Sequence, residues 1–155
     1  MITLIEATDV HFAWMLGEAT RPDGLQLPPD GVESPGVLRW LRRGLANVAT
    51  PCCWLMVADG GVVGLCSFKG GPDEGGFVEI GYGVAAERRR RGHATDAIAC
   101  LLDRVRGQPG VTGLMAETAV DNIASSRVLE ANGFMRAGSR IDPADGELLI
   151  WRRVF

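Results

Sequence analysis

Hydrophobic and polar positions follow two different periods along the chain, and these periods predict strands and helices in a mixed order. Alternating or short apolar runs, bounded by Gly, Pro or Asp, are typical of strands. The predicted strands cover residues 2–6, 53–57, 62–68, 77–84, 113–119, 135–141 and 147–155. The residues between the second and third of these, ADGG at 58–61, predict a tight hairpin turn.

Apolar residues spaced three and four apart predict about four helices. One runs from an Asp9 cap to about Glu18, one opens at Ser34 and Pro35, one follows Gly92, and one lies within 121–134. In the last, Asn122 or Asp121 can cap the start, and Gly133 stands where a left-handed residue ends a helix. The succession of strand 77–84, helix and strand 113–119 predicts parallel neighbours. The pattern therefore predicts an α/β fold.

Length and composition fit one domain over residues 1–155. Of these residues 46% are hydrophobic and 23% charged, which is typical of a folded globular protein. The net charge of −3 argues against a general nucleic-acid binder. No run predicts a membrane span, and the first residues lack the layout of a signal peptide, so a cytoplasmic location is expected.

Four cysteines and two histidines occur without metal-site spacing. Cys52, Cys53, Cys66 and Cys100 lie in or beside apolar runs, which favours buried free thiols. His11 and His93 stand apart from them, so no metal site is expected.

Two stretches depart from the regular patterns, one as an irregular segment rich in proline and glycine and the other as a predicted strand with two glycines near its end. Residues 20–36, TRPDGLQLPPDGVESPG, form a long irregular loop, which is typical either of a binding loop or of a passive connection. Gly81 and Gly83 lie near the end of strand 77–84, where glycine marks a bulge or the close approach of a ligand to the backbone.

Four consecutive arginines, Arg88–Arg91, precede Gly92 and the third helix. A helix N-terminus exposes unpaired N–H groups and the positive end of the helix dipole, so it attracts phosphates. Gly92 removes the side chain where a phosphate would touch the backbone, and the arginines add charge around it. This combination predicts a diphosphate site made mainly of backbone. A solvated basic loop is the alternative, and the motifs of nucleoside-triphosphate and dinucleotide sites are absent.

The residues from Arg89 to Ala94 resemble the Q/R-x-x-G-x-G/A signature of the GNAT superfamily of N-acetyltransferases. The preceding VEIGYGV is similar to the splayed central strand of that family, and DNIASSRVLEANGF is similar to its second signature. The branch that the chain most resembles acetylates ribosomal-protein N-termini and includes many small-molecule acetyltransferases. The resemblance implies a mixed sheet of about seven strands, with a splayed fourth strand, flanked by about four helices.

The resemblance also implies acetyl-coenzyme A as co-substrate and assigns residues to it. The backbone of the loop would hold the pyrophosphate, while the end of the central strand would pair with the pantetheine arm and steady the oxyanion. Asn122 would meet the pantetheine arm and Ser125 would lie near the sulfur. The local alternative is Asn122 as helix cap with Ser125 as its N3 partner, and both roles can coexist. The cofactor-binding residues so implied are Tyr82, Gly83, Val84, Arg89, Arg90, Arg91, Gly92, His93, Ala94, Thr95, Asn122 and Ser125.

The implied chemistry is direct attack of an amine on the thioester, aided by a general base. Glu79 on the central strand is the first candidate and Glu117 the second, while an ordinary exposed strand residue is the alternative for each. Many family members carry a tyrosine as general acid where this chain has Leu129. Ser125 or water would then protonate the thiolate, or the thiolate would leave unaided.

Three functions are compatible with these residues. The first is an N-acetyltransferase acting on a small-molecule amine or a protein N-terminus. For this function the resemblance implies that the first two helices and the loop between them, residues 20–36, wall the acceptor pocket. The second is a coenzyme A-binding module without turnover, suggested by Leu129. The third is an acyltransferase that uses a longer acyl donor. No nucleic-acid or membrane partner is expected, and the apolar last strand makes a homodimer plausible.

Overall fold

The computed structural model describes residues 1–48 and 51–155 and has seven strands and four helices. The strands are β1 (Thr3–Glu6), β2 (Cys53–Ala58), β3 (Gly61–Phe68), β4 (Phe77–Val84), β5 (Gly113–Ala119), β6 (Met135–Asp142) and β7 (Gly146–Val154). The helices are α1 (Asp9–Met15), α2 (Pro35–Leu45), α3 (His93–Val105) and α4 (Ile123–Ala131). The predicted α/β fold is therefore confirmed.

The strands form one mixed sheet in the order β1-β2-β3-β4-β5-β7-β6. As predicted, β4 and β5 are parallel, and their register joins Phe77–Glu79 with Gly113–Met115. The pairs β1–β2, β2–β3, β5–β7 and β6–β7 are antiparallel. A parallel pair needs a crossover, and α3 supplies it.

Backbone contacts divide the chain into two compact units. The first comprises Met1–Ser67 with Tyr82–Ala97, and the second comprises Phe68–Gly81 with Ile98–Phe155. The prediction of one domain over residues 1–155 stays a prediction.

In the first unit, the hairpin of β2 and β3 is buried beneath residues from the helices and the long loop. Asp59 and Gly60 connect the strands with φ values of 50° and 77°, as a two-residue type I′ turn requires. The 20–36 loop is tied to this hairpin, because Gln26 exchanges backbone hydrogen bonds with Gly60 and Val62. The buried cluster is Ala7, Phe12, Leu25, Val32, Leu38, Cys53, Leu55, Val57, Val62, Leu65 and Ala85.

The first helix differs from its prediction at both ends. Thr8, not Asp9, is the N-cap residue, and the helix ends at Met15 rather than near Glu18. The Asp9 carboxylate instead accepts a 2.6 Å hydrogen bond from Arg42 Nε, and Arg42 also binds Glu18. Gly17 follows the helix with φ of 76°, a left-handed conformation that ends helices.

The His11 ring makes the start of α1 sensitive to pH. Its Nδ1 accepts a 3.1 Å hydrogen bond from the Thr8 N–H, and burial lowers the pKa of His11 below 6.5. The unfolded chain therefore takes up this proton at a higher pH than the folded protein does. We expect the free energy of unfolding to fall as the pH drops below about 6.5.

His11→Gln tests this expectation, because glutamine at the same position of the helix keeps the capping contact without titrating. Urea unfolding of both proteins between pH 7.5 and pH 5 gives the comparison. The wild-type curve should fall more steeply than that of the variant. Parallel curves would show that His11 does not contribute.

Gly64 on β3 lies against the backbone of β4. A β-carbon there would collide with the carbonyl oxygen of Gly83 and would approach the Val84 α-carbon within 3.1 Å. We expect Gly64→Ala to lower the free energy of unfolding by about 2 kcal/mol, because backbone atoms must move. Gly44→Ala on α2 is the control. Outside its chain neighbours and the adjoining backbone of α2, none of the described residues lies within 4 Å of its β-carbon position, so it should stabilise the protein slightly. Similar unfolding midpoints for the two variants would contradict this expectation.

The second unit places β5, β7 and β6 side by side, with α4 ending in the predicted way. Gly133 has φ of 75°, and the Gly133 and Phe134 N–H groups donate to the carbonyls of Glu130 and Leu129. These two bonds form a Schellman motif, which buries Phe134. The core of this unit includes Trp151, whose indole N–H donates to Thr118 Oγ1 at 2.9 Å.

All four cysteines are free thiols. Cys53 and Cys66 are buried, as predicted, whereas Cys52 and Cys100 are only half-buried. Burial raises the pKa of the Cys53 thiol to about 12. No helix among the described residues has the length and hydrophobicity to cross a bilayer.

Candidate active site

The loop between β4 and α3 is shaped by two left-handed residues. A single 3-10 turn spans Ala86–Arg88, and Arg90 and Gly92 follow with φ of 62° and 78°. The Asp96 N–H donates to the Gly92 carbonyl, so the hydrogen bonding of α3 begins at Gly92. The N–H groups of Gly92, His93 and Ala94 therefore precede the first helical bond and enter no backbone hydrogen bond among the described residues.

The space above Gly92 is open. Apart from its two neighbours in the chain, none of the described residues lies within 4 Å of the position that a β-carbon would occupy there. Open space, a left-handed backbone and unpaired N–H groups together make an anion-binding concavity at a helix start. This is the local geometry that a diphosphate requires.

The arginine side chains of this loop have different surroundings. The Arg89 Nε donates to the Val84 carbonyl at 3.1 Å, which ties the loop to the end of β4. Arg88 and Arg91 instead line a cleft of about 250 Å³ together with His93. The remaining lining residues are Gln26, Leu27, Pro28, Ala58, Asp59, Gly61, Val62 and Val63. The cleft thus combines two arginines with apolar residues and with one acidic residue, Asp59. The arginines provide charge that can attract an anion.

The end of β4 approaches two other segments of the first unit. The Ala85 N–H donates to the Val63 carbonyl at 2.8 Å, and Gly64 on β3 faces the Gly83 carbonyl. Glu33 of the 20–36 loop brings its Oε2 within 3.5 Å of the β-carbon position at Gly83. Sequence reasoning missed Glu33, because nothing in the sequence distinguishes it from Asp23 and Asp30 in the same loop.

In the second unit, Asn122 and Ser125 begin α4. The Asn122 side chain caps the helix, with its Oδ1 accepting a 3.1 Å hydrogen bond from the Ser125 N–H. The local capping role foreseen for Asn122 is therefore present, while the role toward a cofactor stays a prediction for both residues. Leu129 is completely buried, so its position provides no proton donor.

The two predicted bases, Glu79 and Glu117, both lie in the second unit but have different surroundings. Glu79 Oε1 accepts a 2.8 Å bond from the ammonium of Lys69, the only lysine of the chain. Both oxygens of Glu117 are bound by Arg140, each at 2.7 Å, and this arginine lowers the pKa of Glu117. The Glu79 side chain is 32% exposed and that of Glu117 12%. Glu79 therefore has the more accessible carboxylate.

The described residues offer no cluster of metal ligands beside these side chains. Within residues 1–48 and 51–155, His, Cys, Asp and Glu side chains form no group of three or more that could hold a metal ion.

Comparison with known proteins places this geometry in a family. Residues 5–135 match the family model described as acetyltransferase (GNAT) domain. The uncharacterized N-acetyltransferase YjdG of Bacillus subtilis (strain 168) is 34% identical over 74 residues. That match spans 48% of this chain and 44% of YjdG, so it covers less than half of the curated relative.

Two solved structures share the fold. The ribosomal L7/L12 α-N-protein acetyltransferase RimL in complex with coenzyme A has a TM-score of 0.76 and 17% identity, over 99% of this chain and 94% of that one. The aminoglycoside acetyltransferase AAC(6')-Ib in complex with coenzyme A has a TM-score of 0.72 and 19% identity, over 99% and 95%. Because the family model matches residues 5–135, which are most of the chain, the chain belongs to the acetyltransferase (GNAT) domain family.

Proposed function

We propose that the protein transfers an acetyl group from acetyl-coenzyme A to a primary amine, in a complex that holds both substrates at once. The acceptor is a small molecule or a protein N-terminus. The proposal depends chiefly on the open, left-handed turn at Gly92, whose unpaired N–H groups begin α3 among basic side chains. Membership of the acetyltransferase (GNAT) domain family supports it.

Different residues of the first unit bind different parts of acetyl-coenzyme A. The backbone from Arg89 to Thr95 holds the diphosphate, with Arg88 and Arg91 adding charge from the cleft. The backbone of Tyr82–Val84 pairs with the pantetheine arm, and one of its N–H groups stabilises the oxyanion. When bound, acetyl-coenzyme A supplies the activated acyl carbon.

Four residues of the second unit have proposed roles in the chemistry. Asn122 and Ser125 contact the pantetheine arm and the region of the sulfur. Glu79 accepts the proton of the attacking amine, directly or through water, with Glu117 as the second candidate. Positioning of the two substrates provides much of the acceleration.

Isothermal titration with acetyl-coenzyme A tests the binding half of the proposal. We expect a Kd below about 100 μM, with ligand binding dependent on the diphosphate. S-acetyl-N-acetylcysteamine carries the same thioester but lacks the pantoate, the diphosphate and the nucleotide of the cofactor. It serves as the control and should not bind detectably. Equal binding of the two ligands, or no binding of either, contradicts the proposal.

The second candidate function is a coenzyme A-binding module without turnover. The observation that favours it is the complete burial of Leu129, where many family members carry a tyrosine. A panel of primary amines, aminoglycosides and peptides with free N-termini, with release of the coenzyme A thiol as readout, separates the two. Turnover of any member supports the transferase, whereas binding of acetyl-coenzyme A without turnover across the panel supports the module.

Three further expectations accompany the proposal: a single domain, a cytoplasmic location and assembly as a homodimer. Size-exclusion chromatography with light scattering tests the last of these. A monomeric mass over the concentration range of the assay contradicts it.

A further inference from the structure

Glu33 brings a carboxylate to the end of β4, and one of its oxygens has no partner. Both residues of this contact, Glu33 and Gly83, belong to the first compact unit. Oε1 accepts a 2.8 Å hydrogen bond from the Ser34 N–H, which fixes the orientation of the carboxylate. Oε2 lies 3.5 Å from the β-carbon position at Gly83 and enters no hydrogen bond or ion pair among the described residues. Because residue 83 is glycine, no side chain stands between this oxygen and the strand.

Glu33 differs from Glu79 and Glu117 in the cationic groups that lie beside its carboxylate. Lys69 lies beside Glu79, and Arg140 binds Glu117 through both oxygens. The described residues place no lysine, arginine or histidine nitrogen within 4 Å of the Glu33 carboxylate. Its negative charge therefore faces the end of β4 with no cationic group of the described residues beside it.

We propose that Glu33 Oε2 binds the ammonium group of the acceptor and thereby selects amines that are cationic at neutral pH. This inference rests on the proposed function, because it assumes that the backbone at Gly83 borders the acyl group. Aliphatic amines, with a pKa of about 10, then bind in preference to neutral acceptors of the same shape. Glu33 acts as an acceptor-binding residue, and the later removal of the proton is left to the general base.

Two thioethers of coenzyme A test the proposal, and neither requires that the acceptor be identified first. S-(2-aminoethyl)-coenzyme A presents an ammonium group beyond the sulfur, and S-propyl-coenzyme A presents a methyl group at the same distance. We expect the wild-type protein to bind the cationic thioether about fivefold more tightly by isothermal titration, as for an exposed ion pair. In Glu33→Gln this preference should disappear, while the Kd for S-propyl-coenzyme A stays unchanged. Glutamine still accepts the Ser34 hydrogen bond, so the loop keeps its geometry.

Asp103→Asn is the matched control, because it removes one exposed carboxylate from α3 and should keep the fivefold preference. Equal affinities for the two thioethers in the wild-type protein overturn the proposal, whatever the stability of the variant. A preference that survives Glu33→Gln also overturns it and assigns the attraction to another group. If the wild-type protein binds neither thioether and no acetyl-coenzyme A, the proposed function itself fails, which is a different pattern from equal binding.

Discussion

Replacing Gly92 with glutamate is expected to weaken the binding of acetyl-coenzyme A roughly a hundredfold. The new carboxylate would enter the open space above the turn, where the diphosphate is proposed to lie, and like charges in contact cost several kcal/mol. The side chain itself has room, because apart from the chain neighbours no described residue lies within 4 Å of the β-carbon position. Isothermal titration of the folded variant measures the effect.

The matched control for this experiment is Gly107→Glu. Gly107 follows the other end of α3 with φ of 84°, against 78° at Gly92, and its β-carbon position is equally open. Both variants therefore carry a similar backbone strain of about 1–2 kcal/mol and the same added charge. Thermal unfolding should shift alike in the two proteins, while only Gly92→Glu should lose affinity. If both variants lose affinity equally, the effect is one of stability, and the turn at Gly92 is not the diphosphate site.

Features that depend on neighbouring residues were predictable from the sequence. The turn at Gly92 combines a glycine, a helix start and a run of arginines within a few positions, so its shape follows from local chemistry. The same holds for the left-handed Gly133 and for the hairpin at Asp59 and Gly60. Each of these positions requires a backbone conformation that few residues adopt.

Features that join distant segments were not predictable. Asp9 and Thr8 are both good helix caps, and the sequence cannot show that Arg42, on another helix, binds the Asp9 carboxylate. Nor can the sequence show that Arg140 donates hydrogen bonds to the Glu117 carboxylate, or that the Glu33 carboxylate lies beside Gly83. The four arginines also look equivalent in the sequence, although the side chain of Arg89 binds the Val84 carbonyl.

Glu79→Gln is expected to lower kcat about a hundredfold or more, with little change in the KM for acetyl-coenzyme A. The glutamine oxygen can still accept the 2.8 Å hydrogen bond that Lys69 donates to Glu79, so the local structure is kept. What the variant loses is the ability to take a proton from the attacking amine. Steady-state kinetics with the best acceptor of the amine panel give both constants.

Glu117→Gln decides between the two candidate bases. Arg140 already holds both oxygens of Glu117 and lowers its pKa, which makes this carboxylate a poorer proton acceptor at neutral pH. Its replacement should therefore cost mainly stability, through the lost pairing with Arg140, and should reduce kcat far less than Glu79→Gln does. The opposite order of the two kcat losses would assign the base to Glu117, and would require Arg140 to release that carboxylate when the substrates bind.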